Sequence, residues 1–260
     1  MNSQISKLLA YTYRSYIFSI RNFYAFAELL FWPAFGVISV GLMGSFLNLN
    51  NEMKAFLLTG AIVSGALQVV QLDVAYSLLF DMWSKSLKQS FVTPIKHYHY
   101  ILGSWIFGIF RGIIVMFMLG GFSAWVFKFY LPAPHIVILS MAGIFLSGLV
   151  VGMGVIFIIL YFGQRIMEVV WMITNLIMLL CGIYYPVNML PKVFQYVANL
   201  IPVTHFLEYY RTGYGFTPVF SHSLWRGYGL SLFYIILFFI MMNTAYDRAR
   251  KNGMILRLSE

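Results

Sequence analysis

Charged residues and cysteine are both scarce in this sequence. Only 10% of its 260 residues are Asp, Glu, Lys or Arg, against about a quarter in an ordinary soluble domain. The single cysteine, Cys181, excludes an internal disulfide and a cysteine-clustered metal site. The sequence also lacks the Gly-rich phosphate loop that ends in Lys-Ser/Thr, so nucleotide hydrolysis by this chain is not expected.

Apolar residues dominate instead: 61% of the chain is hydrophobic and 19% is aromatic, with a mean hydropathy of +0.81. So much apolar surface excludes a disordered chain and an ordinary soluble globule. Because one membrane-spanning helix takes about 20 apolar residues, we expect an all-α membrane protein with six transmembrane helices. The predicted spans are 24–47, 55–80, 98–127, 136–162, 166–185 and 224–246.

The net charge of +9 reflects membrane orientation and not a nucleic-acid surface, because the basic residues form no single patch. With six spans and the N-terminus inside, eleven Lys and Arg residues lie on the inner side and five on the outer side. This bias predicts that both termini are cytoplasmic. Residues 1–23 place apolar side chains opposite Lys7, Arg14 and Arg21, which predicts an amphipathic helix lying on the membrane surface.

The cytoplasmic segment 81–94, between the second and third spans, is the first candidate site. An apolar stripe at i, i+4 and i+8 has two lysines pointing away from it, and a proline ends the segment. The stripe is Trp83, Leu87 and Phe91, and the lysines are Lys85 and Lys88. This pattern predicts a short helix that docks onto a cytoplasmic partner. A surface-lying loop helix without a partner is the alternative.

The stretch 184–211 is the second candidate site. Pro186, Pro191 and Pro202 forbid one continuous helix, yet the stretch is too apolar for a solvated loop. Non-helical backbone at membrane depth persists only when protein covers it or when it lines a wet cavity. We therefore expect two short half-helices dipping into the outer leaflet, preceded by Tyr184 and Tyr185.

Charged residues inside or between spans need a partner or a function, because burying a charge costs free energy. Asp73 and Arg111 lie in consecutive spans, where they either pair or face a wet dimer interface. Both are also candidates for the translocation path, where they would contact the cargo. Arg165 and Glu168 are three residues apart, so they form either a structural ion pair or a cytoplasmic gate.

Most Trp and Tyr side chains are expected as anchors at the membrane interfaces. Rings that face a translocation path are the alternative, and the candidates are Trp32, Tyr76, Trp171, Tyr184 and Tyr185. No convergent acid, base or metal-ligating cluster stands out, so we predict no catalytic residue and no metal site.

Several short motifs resemble the permease subunits of type-2 ATP-binding-cassette exporters of the polysaccharide and drug-export type. The motifs are Tyr185-Pro186, Leu190-Pro191, the run from Asn199 to His205, Arg211, and the earlier pair Thr93-Pro94. The six expected spans and the surface helix before the first span also match this family.

The resemblance implies a homodimer that binds two separate cytoplasmic ATPase subunits, which carry ATP and Mg, while this chain holds no cofactor. Residues 1–23 become an interface helix, 24–260 a permease domain and 81–94 the coupling helix. The re-entrant segment 184–211 becomes the outer gate.

The function expected by resemblance is export of a lipid-linked glycan or polysaccharide across the bacterial inner membrane. Efflux of drugs or amphipathic lipids by the same family is the alternative. An ion-coupled secondary transporter and an intramembrane enzyme are further alternatives, although the residue clusters that they need are not evident.

Overall fold

The computed structural model describes residues 3–21, 23–86, 96–163 and 167–251, and within these ranges the ordered elements are all helical. The α-helices are α1 Ser3–Arg21, α2 Phe23–Phe46, α3 Asn51–Trp83, α4 His97–Phe127, α5 Pro134–Phe162, α6 Met167–Leu180, α7 Lys192–Asn199, α8 Pro202–Thr212 and α9 Ser223–Lys251. A 3₁₀-helix covers Val187–Met189. The predicted all-α class is confirmed for the described residues.

Four of these helices are long and apolar enough to cross a membrane: α3, α4, α5 and α9 as far as Tyr246. They correspond to the predicted spans 55–80, 98–127, 136–162 and 224–246. In α2 the apolar stretch is the shorter Leu30–Phe46, and α6 has 14 residues. The chain is therefore a multi-pass membrane protein, and the count of six spans stays a prediction.

Helix α3 lies at the centre of the bundle, and glycines allow its neighbours to approach closely. A Cβ added at Gly112 of α4 would lie 2.9 Å from Val70 Cγ2. One added at Gly152 of α5 would lie 2.6 Å from Val74 Cβ. Small residues at such positions let helix backbones pack together within a membrane. The Val70–Val74 face of α3 is thus covered by glycine surfaces on two sides.

Helix α6 ends earlier than predicted. We expect a fifth span reaching residue 185, but α6 stops at Leu180 and the chain turns through Gly182, whose φ is +69°. A residue in the left-handed region ends a helix, and glycine adopts it without steric cost. The predicted boundary was therefore wrong by five residues.

The three prolines of the stretch 184–211 each precede or begin a helix. Pro186 precedes the 3₁₀-helix, Pro191 precedes α7, and Pro202 is the first residue of α8. Proline suits a helix start because the first amide groups have no intrahelical acceptor. The stretch is thus divided into a 3₁₀-helix and two short α-helices, and the predicted re-entrant pair that dips into a membrane leaflet stays a prediction.

The long helices alternate in direction, which gives the bundle two ends. The connecting end carries α1, the end of α3, residues 84–86, which begin the connecting segment between α3 and α4, and the start of α4. The re-entrant end carries the start of α3, the end of α6, α7 and α8. At the connecting end, Arg248 of α9 donates a hydrogen bond of 2.6 Å to the Tyr161 hydroxyl of α5.

Candidate functional site

The predicted partner-docking segment begins with a sharp turn. Trp83 is the last residue of α3, and Lys85 has a φ of +56°, which breaks the helix there. The helix start predicted at 81 lies within α3, which ends at Trp83, and the predicted stripe that continues through Leu87 and Phe91 stays a prediction. Leu87, Lys88 and Phe91 lie outside the described residues.

Helix α1 contacts the bundle through Tyr11, Thr12 and Ser15, whereas most of its apolar face does not contact the bundle. Tyr11 is buried, whereas Ile5, Tyr13 and Ile20 are 52%, 64% and 60% exposed. The exposed side chains belong to the predicted lipid-facing stripe. The amphipathic pattern predicted for residues 1–23 is therefore present in α1, and its apolar face is open to the surroundings.

Arg14 of α1 forms an ion pair with Asp81 in the last turn of α3. Both guanidinium nitrogens Nη1 and Nη2 donate to the carboxylate, one to each oxygen. The Asp81 side chain is 5% exposed, so its charge depends on this partner. Burial lowers the pKa of Arg14, but hydrogen bonding to Asp81 and the charge of Asp81 outweigh that effect and raise it above its ordinary value.

An aromatic cluster on α3 and α1 includes Phe80, the neighbour of Asp81 in the sequence. Tyr76, Phe80 and Trp83 lie on one side of α3 with ring centroids 5.0–5.7 Å apart, and Phe18 of α1 stacks on Phe80 at 3.8 Å. Tyr76, a predicted path residue, thus packs at the connecting end among rings of its own chain. Trp83 remains 53% exposed at the edge of the cluster.

Asp73 and Arg111 pair within the bundle. Nη1 of Arg111 donates a hydrogen bond of 2.6 Å to Oδ1 of Asp73, and both side chains are less than 10% exposed. The pair joins α3 to α4 where Gly108 brings them together. Of the two alternatives for these residues, the described geometry favours mutual pairing, and a contact with cargo stays a prediction.

Arg211 of α8 donates hydrogen bonds to three backbone carbonyl groups at the re-entrant end. It donates to the carbonyls of Gly182 at 2.8 Å and Ile183 at 2.5 Å, and to that of Phe56 in α3 at 3.4 Å. Its guanidinium carbon also lies 3.5 Å from the centroid of the Phe56 ring. Arg211 therefore joins three elements: the chain after α6, the first turns of α3, and α8.

Glycine at position 60 makes room for this arrangement. A Cβ there would collide with the Ile183 carbonyl oxygen. Arg211 is only 3% exposed. Its charge is therefore stabilised by the dipoles of the carbonyl groups and by the face of the Phe56 ring, and not by water. Arg211 belongs to the sequence motif, but its partners could not be read from the sequence, because the carbonyl groups that it binds lie 28 to 155 residues away.

The predicted outer-gate tyrosines occupy the turn between α6 and the 3₁₀-helix. Tyr184 is 45% exposed, and the hydroxyl of the half-buried Tyr185 donates to the Leu179 carbonyl. This bond ties the turn back onto the end of α6. The turn is thus held from both sides, by Tyr185 and by Arg211.

Two further polar residues of α8 form hydrogen bonds that the sequence reasoning did not predict. Oε2 of the buried Glu208 accepts a hydrogen bond of 3.2 Å from the Phe220 amide, and Nε2 of His205 donates to the Asn199 carbonyl at 2.8 Å. Glu208 thereby holds the loop before α9 against α8. The sequence signal that could have identified them is their spacing: His205, Glu208 and Arg211 are polar and lie three residues apart in an apolar stretch.

The remaining predicted residues are dispersed. Trp32 is 57% exposed on α2, where it contacts Phe31 with centroids 5.5 Å apart. Arg165 lies outside the described residues, and nothing is described of the Glu168 and Trp171 side chains on α6. Among the residues that the structure covers, no group of three or more His, Cys, Asp or Glu side chains is placed to hold a metal ion.

Comparison with known proteins relates this geometry to a family. The family model described as "ABC-2 type transporter" matches residues 11–215. The chain belongs to the ABC-2 type transporter family.

The matched range of this permease runs from α1 to the turn after α8, and so includes both the Arg14–Asp81 pair and the Arg211 site. An uncharacterized protein of Archaeoglobus fulgidus is 47% identical to the permease over 51 residues, which are 20% of this chain and 80% of that protein.

Family membership makes this chain the membrane component of an ABC exporter, a component that is in general non-catalytic. It also implies association with an ATP-binding subunit. The predicted permease assignment is confirmed at this level.

Proposed function

We propose that the permease is one half of an exporter that moves a lipid-linked glycan or polysaccharide across the inner membrane. It works as a homodimer with two separate ATPase subunits. The observation that carries this proposal is the continuity of α3, which runs from the Asp81 ion pair at the connecting end to the Arg211 site at the re-entrant end.

Helix α3 is long and buried enough to transmit a displacement from one end of the bundle to the other. Its 33 residues extend over about 50 Å at the rise of an α-helix, and most of its side chains are buried. When the ATPase subunits bind nucleotide and close, they displace the connecting end, and α3 carries this displacement to the Phe56 carbonyl beneath Arg211. Such coupling requires that the nucleotide-bound partner favour one arrangement of the helices.

The homodimer is supported by apolar side chains that a single chain leaves uncovered. Met172, Leu176 and Leu179 form a stripe on α6 and are 69%, 53% and 57% exposed. Val193 and Tyr196 of α7 extend the apolar surface at the re-entrant end. A second copy would cover this surface and place the two 184–211 stretches side by side as an outer gate.

A glycan cargo is supported by the exposed rings of α2. Phe31, Trp32 and Phe35 are 56–58% exposed, and the Phe31 and Phe35 rings stack with centroids 6.3 Å apart. Aromatic faces together with a polar-tipped Trp suit contact with a molecule that has both apolar and polar surfaces.

Efflux of drugs or amphipathic lipids is the second candidate, and two apolar cavities favour it. One has a volume of about 720 Å³ between α4 and α5, and the other about 410 Å³ between α5, α9 and the α7–α8 turn. Both are lined almost entirely by apolar side chains, the lining expected of a site for apolar ligands.

The experiment is transport by the permease reconstituted in vesicles together with its ATPase subunits. Fluorescent lipid-linked oligosaccharide, a fluorescent phospholipid and a cationic dye are offered separately, with ATP, without ATP, and with an imposed proton or sodium gradient. We expect ATP-dependent movement of the oligosaccharide, with a weaker response to the other two substrates.

Each outcome decides between the proposals. ATP-dependent movement of the dye or the phospholipid alone would replace the glycan proposal by the efflux candidate. Transport driven by an ion gradient and indifferent to ATP would overturn both in favour of a secondary transporter. Vesicles containing the permease without ATPase subunits serve as the control, and uphill transport in them would also contradict the proposal.

A further inference from the structure

Helix α1 is fastened to the start of α4 by short polar contacts. The Thr12 hydroxyl donates to the Gly103 carbonyl at 3.0 Å, and the hydroxyls of Ser15 and Ser104 lie 3.1 Å apart. A Cβ at Gly103 would lie 2.7 Å from Tyr11 Cβ. The side chains of α1 thus contact the backbone of α4 directly at Gly103. These contacts involve no charged group, so they hold α1 on α4 without the ion pair.

The link from α1 to α3 is of a different kind. It consists of the Arg14–Asp81 ion pair and the Phe18–Phe80 stacking described above. A guanidinium that donates both nitrogens to one carboxylate fixes direction as well as distance. The ion pair thus sets the angle between α1 and the last turn of α3.

Asp81 also holds the first residues of the connecting segment. The Ser86 amide donates to the Asp81 backbone carbonyl at 2.9 Å, and the Ser86 hydroxyl donates to Asp81 Oδ1 at 3.2 Å. Since Lys85 turns the chain between them, Asp81 lies where α1, α3 and the connecting segment meet. The Asp81 carboxylate therefore links both α1 and the start of the connecting segment to α3.

We propose that Arg14 and Asp81 are positioning residues for energy coupling: their ion pair makes α1, the end of α3 and the start of the connecting segment one rigid unit. A displacement of that segment by the ATPase subunit then moves α3 instead of bending the joint. This inference rests on the proposed function and names the residues through which it operates.

The contacts predict that losing the ion pair loosens the joint without detaching α1. Thr12 and Ser15 still hold α1 on α4, and Phe18 still covers Phe80. A variant without the pair should therefore bind and run its ATPase subunits while transmitting less of their motion. A merely structural pair would instead affect assembly and stability.

The experiment uses the full complex with its ATPase subunits in vesicles. The variants are Arg14→Gln, Asp81→Asn and the exchange Arg14→Asp with Asp81→Arg. Bound ATPase subunit, ATP hydrolysis and cargo moved per ATP are measured separately. Arg14→Gln and Asp81→Asn should bind the subunits normally but lose about tenfold in cargo per ATP, which is within the usual range of a coupling free energy. The exchange should recover most of that loss.

Arg21→Gln is the matched control, because Arg21 is an exposed cation of the same helix. It should leave cargo per ATP at the wild-type value. Wild-type coupling in Arg14→Gln and Asp81→Asn would overturn the proposal, and so would an equal loss in Arg21→Gln. Failure of the exchange to recover coupling, in protein that assembles normally, would overturn it as well.

A second measurement does not depend on the cargo. Spin labels are attached at Leu9→Cys and Trp83→Cys in a Cys181→Ala background, since both side chains are exposed. The distance between the labels should stay the same with and without nucleotide in the presence of the ion pair, and its distribution should broaden in Arg14→Gln. A broad distribution with the pair intact would overturn the rigid unit. If the complex moves no cargo but this distance behaves as expected, the proposed function fails and the rigid unit stands.

Discussion

At the residue scale, Arg211 compensates for a helix that stops within an apolar part of the chain. Carbonyl groups in the turn after α6 have no intrahelical donors, and such groups are costly away from water. Arg211 supplies donors to Gly182, Ile183 and Phe56, and the Phe56 ring covers its face. The planar guanidinium meets several acceptors at once, which a lysine ammonium on a flexible stem does not reproduce.

Cys181 makes this arrangement measurable, because it is the only cysteine of the chain, is buried, and precedes Gly182. We expect Arg211→Lys to raise the rate at which a thiol reagent labels Cys181 by about tenfold, since each hydrogen bond lost in a buried site costs about 1–3 kcal/mol. The measurement is labelling of the folded protein in detergent over time.

Arg226→Lys is the control for that labelling, because Arg226 is exposed on α9. It should leave the rate unchanged. A wild-type labelling rate in Arg211→Lys would show that the junction does not depend on the guanidinium.

At the scale of elements, close helix packing depends on where glycines face α3. We expect Gly152→Ala to lower the free energy of unfolding by about 1–3 kcal/mol, the usual cost of overpacking a tight contact, because its Cβ would lie 2.6 Å from Val74 Cβ. Thermal unfolding in detergent, followed by fluorescence, measures the change.

Gly121→Ala is the matched helical control, since nothing lies within 4 Å of the added Cβ. Alanine is the better helix former, so this variant should be neutral or slightly stabilising. Equal destabilisation by the two substitutions would mean that helix packing on Val74 is not the cause.

The elements themselves were largely predictable from the sequence. Long apolar runs located α3, α4, α5 and α9, because a helix in lipid needs continuous apolar length. Pro191 and Pro202 located the starts of α7 and α8, because proline lacks the amide hydrogen that a helix interior requires. The end of α6 was placed too late although Gly182 offered a local signal for it. The guanidinium that binds the following turn was not predictable, since it lies 29 residues from Gly182.

The contacts of the candidate site were less accessible to sequence reasoning. Asp73 and Arg111 were recognised because two charges in consecutive spans demand partners. Arg14 and Asp81 were not, because both lie outside the predicted spans, where water is an equally good partner. Their pairing across 67 residues follows from the packing of α1 on α4, which no local pattern encodes.

At the scale of the whole molecule, the alternation of helix directions makes a prediction about sidedness. With both termini cytoplasmic, the connecting end faces the cytoplasm and the 3₁₀-helix faces outward. In a Cys181→Ala background, Met189→Cys should be labelled in intact cells by a membrane-impermeant maleimide, since Met189 is 74% exposed. Ser84→Cys should be labelled only after the cells are permeabilised.

The Cys181→Ala background alone is the control and should remain unlabelled in both conditions. Labelling of Ser84→Cys in intact cells would reverse the orientation derived from the lysine and arginine bias. Labelling of both positions in intact cells would place the two ends on the same side and contradict the alternation itself.

The bond from Arg211 to Phe56 has a consequence for how the permease is made. The two residues are 155 positions apart, and synthesis at about 5–20 residues per second separates them by about 8–30 seconds. During that interval the first turns of α3 are already in place without their final partner. Closure of the re-entrant end is therefore a late event in biogenesis, and a ribosome stalled before residue 211 would leave a chain in which this end of the central helix still lacks its Arg211 contact.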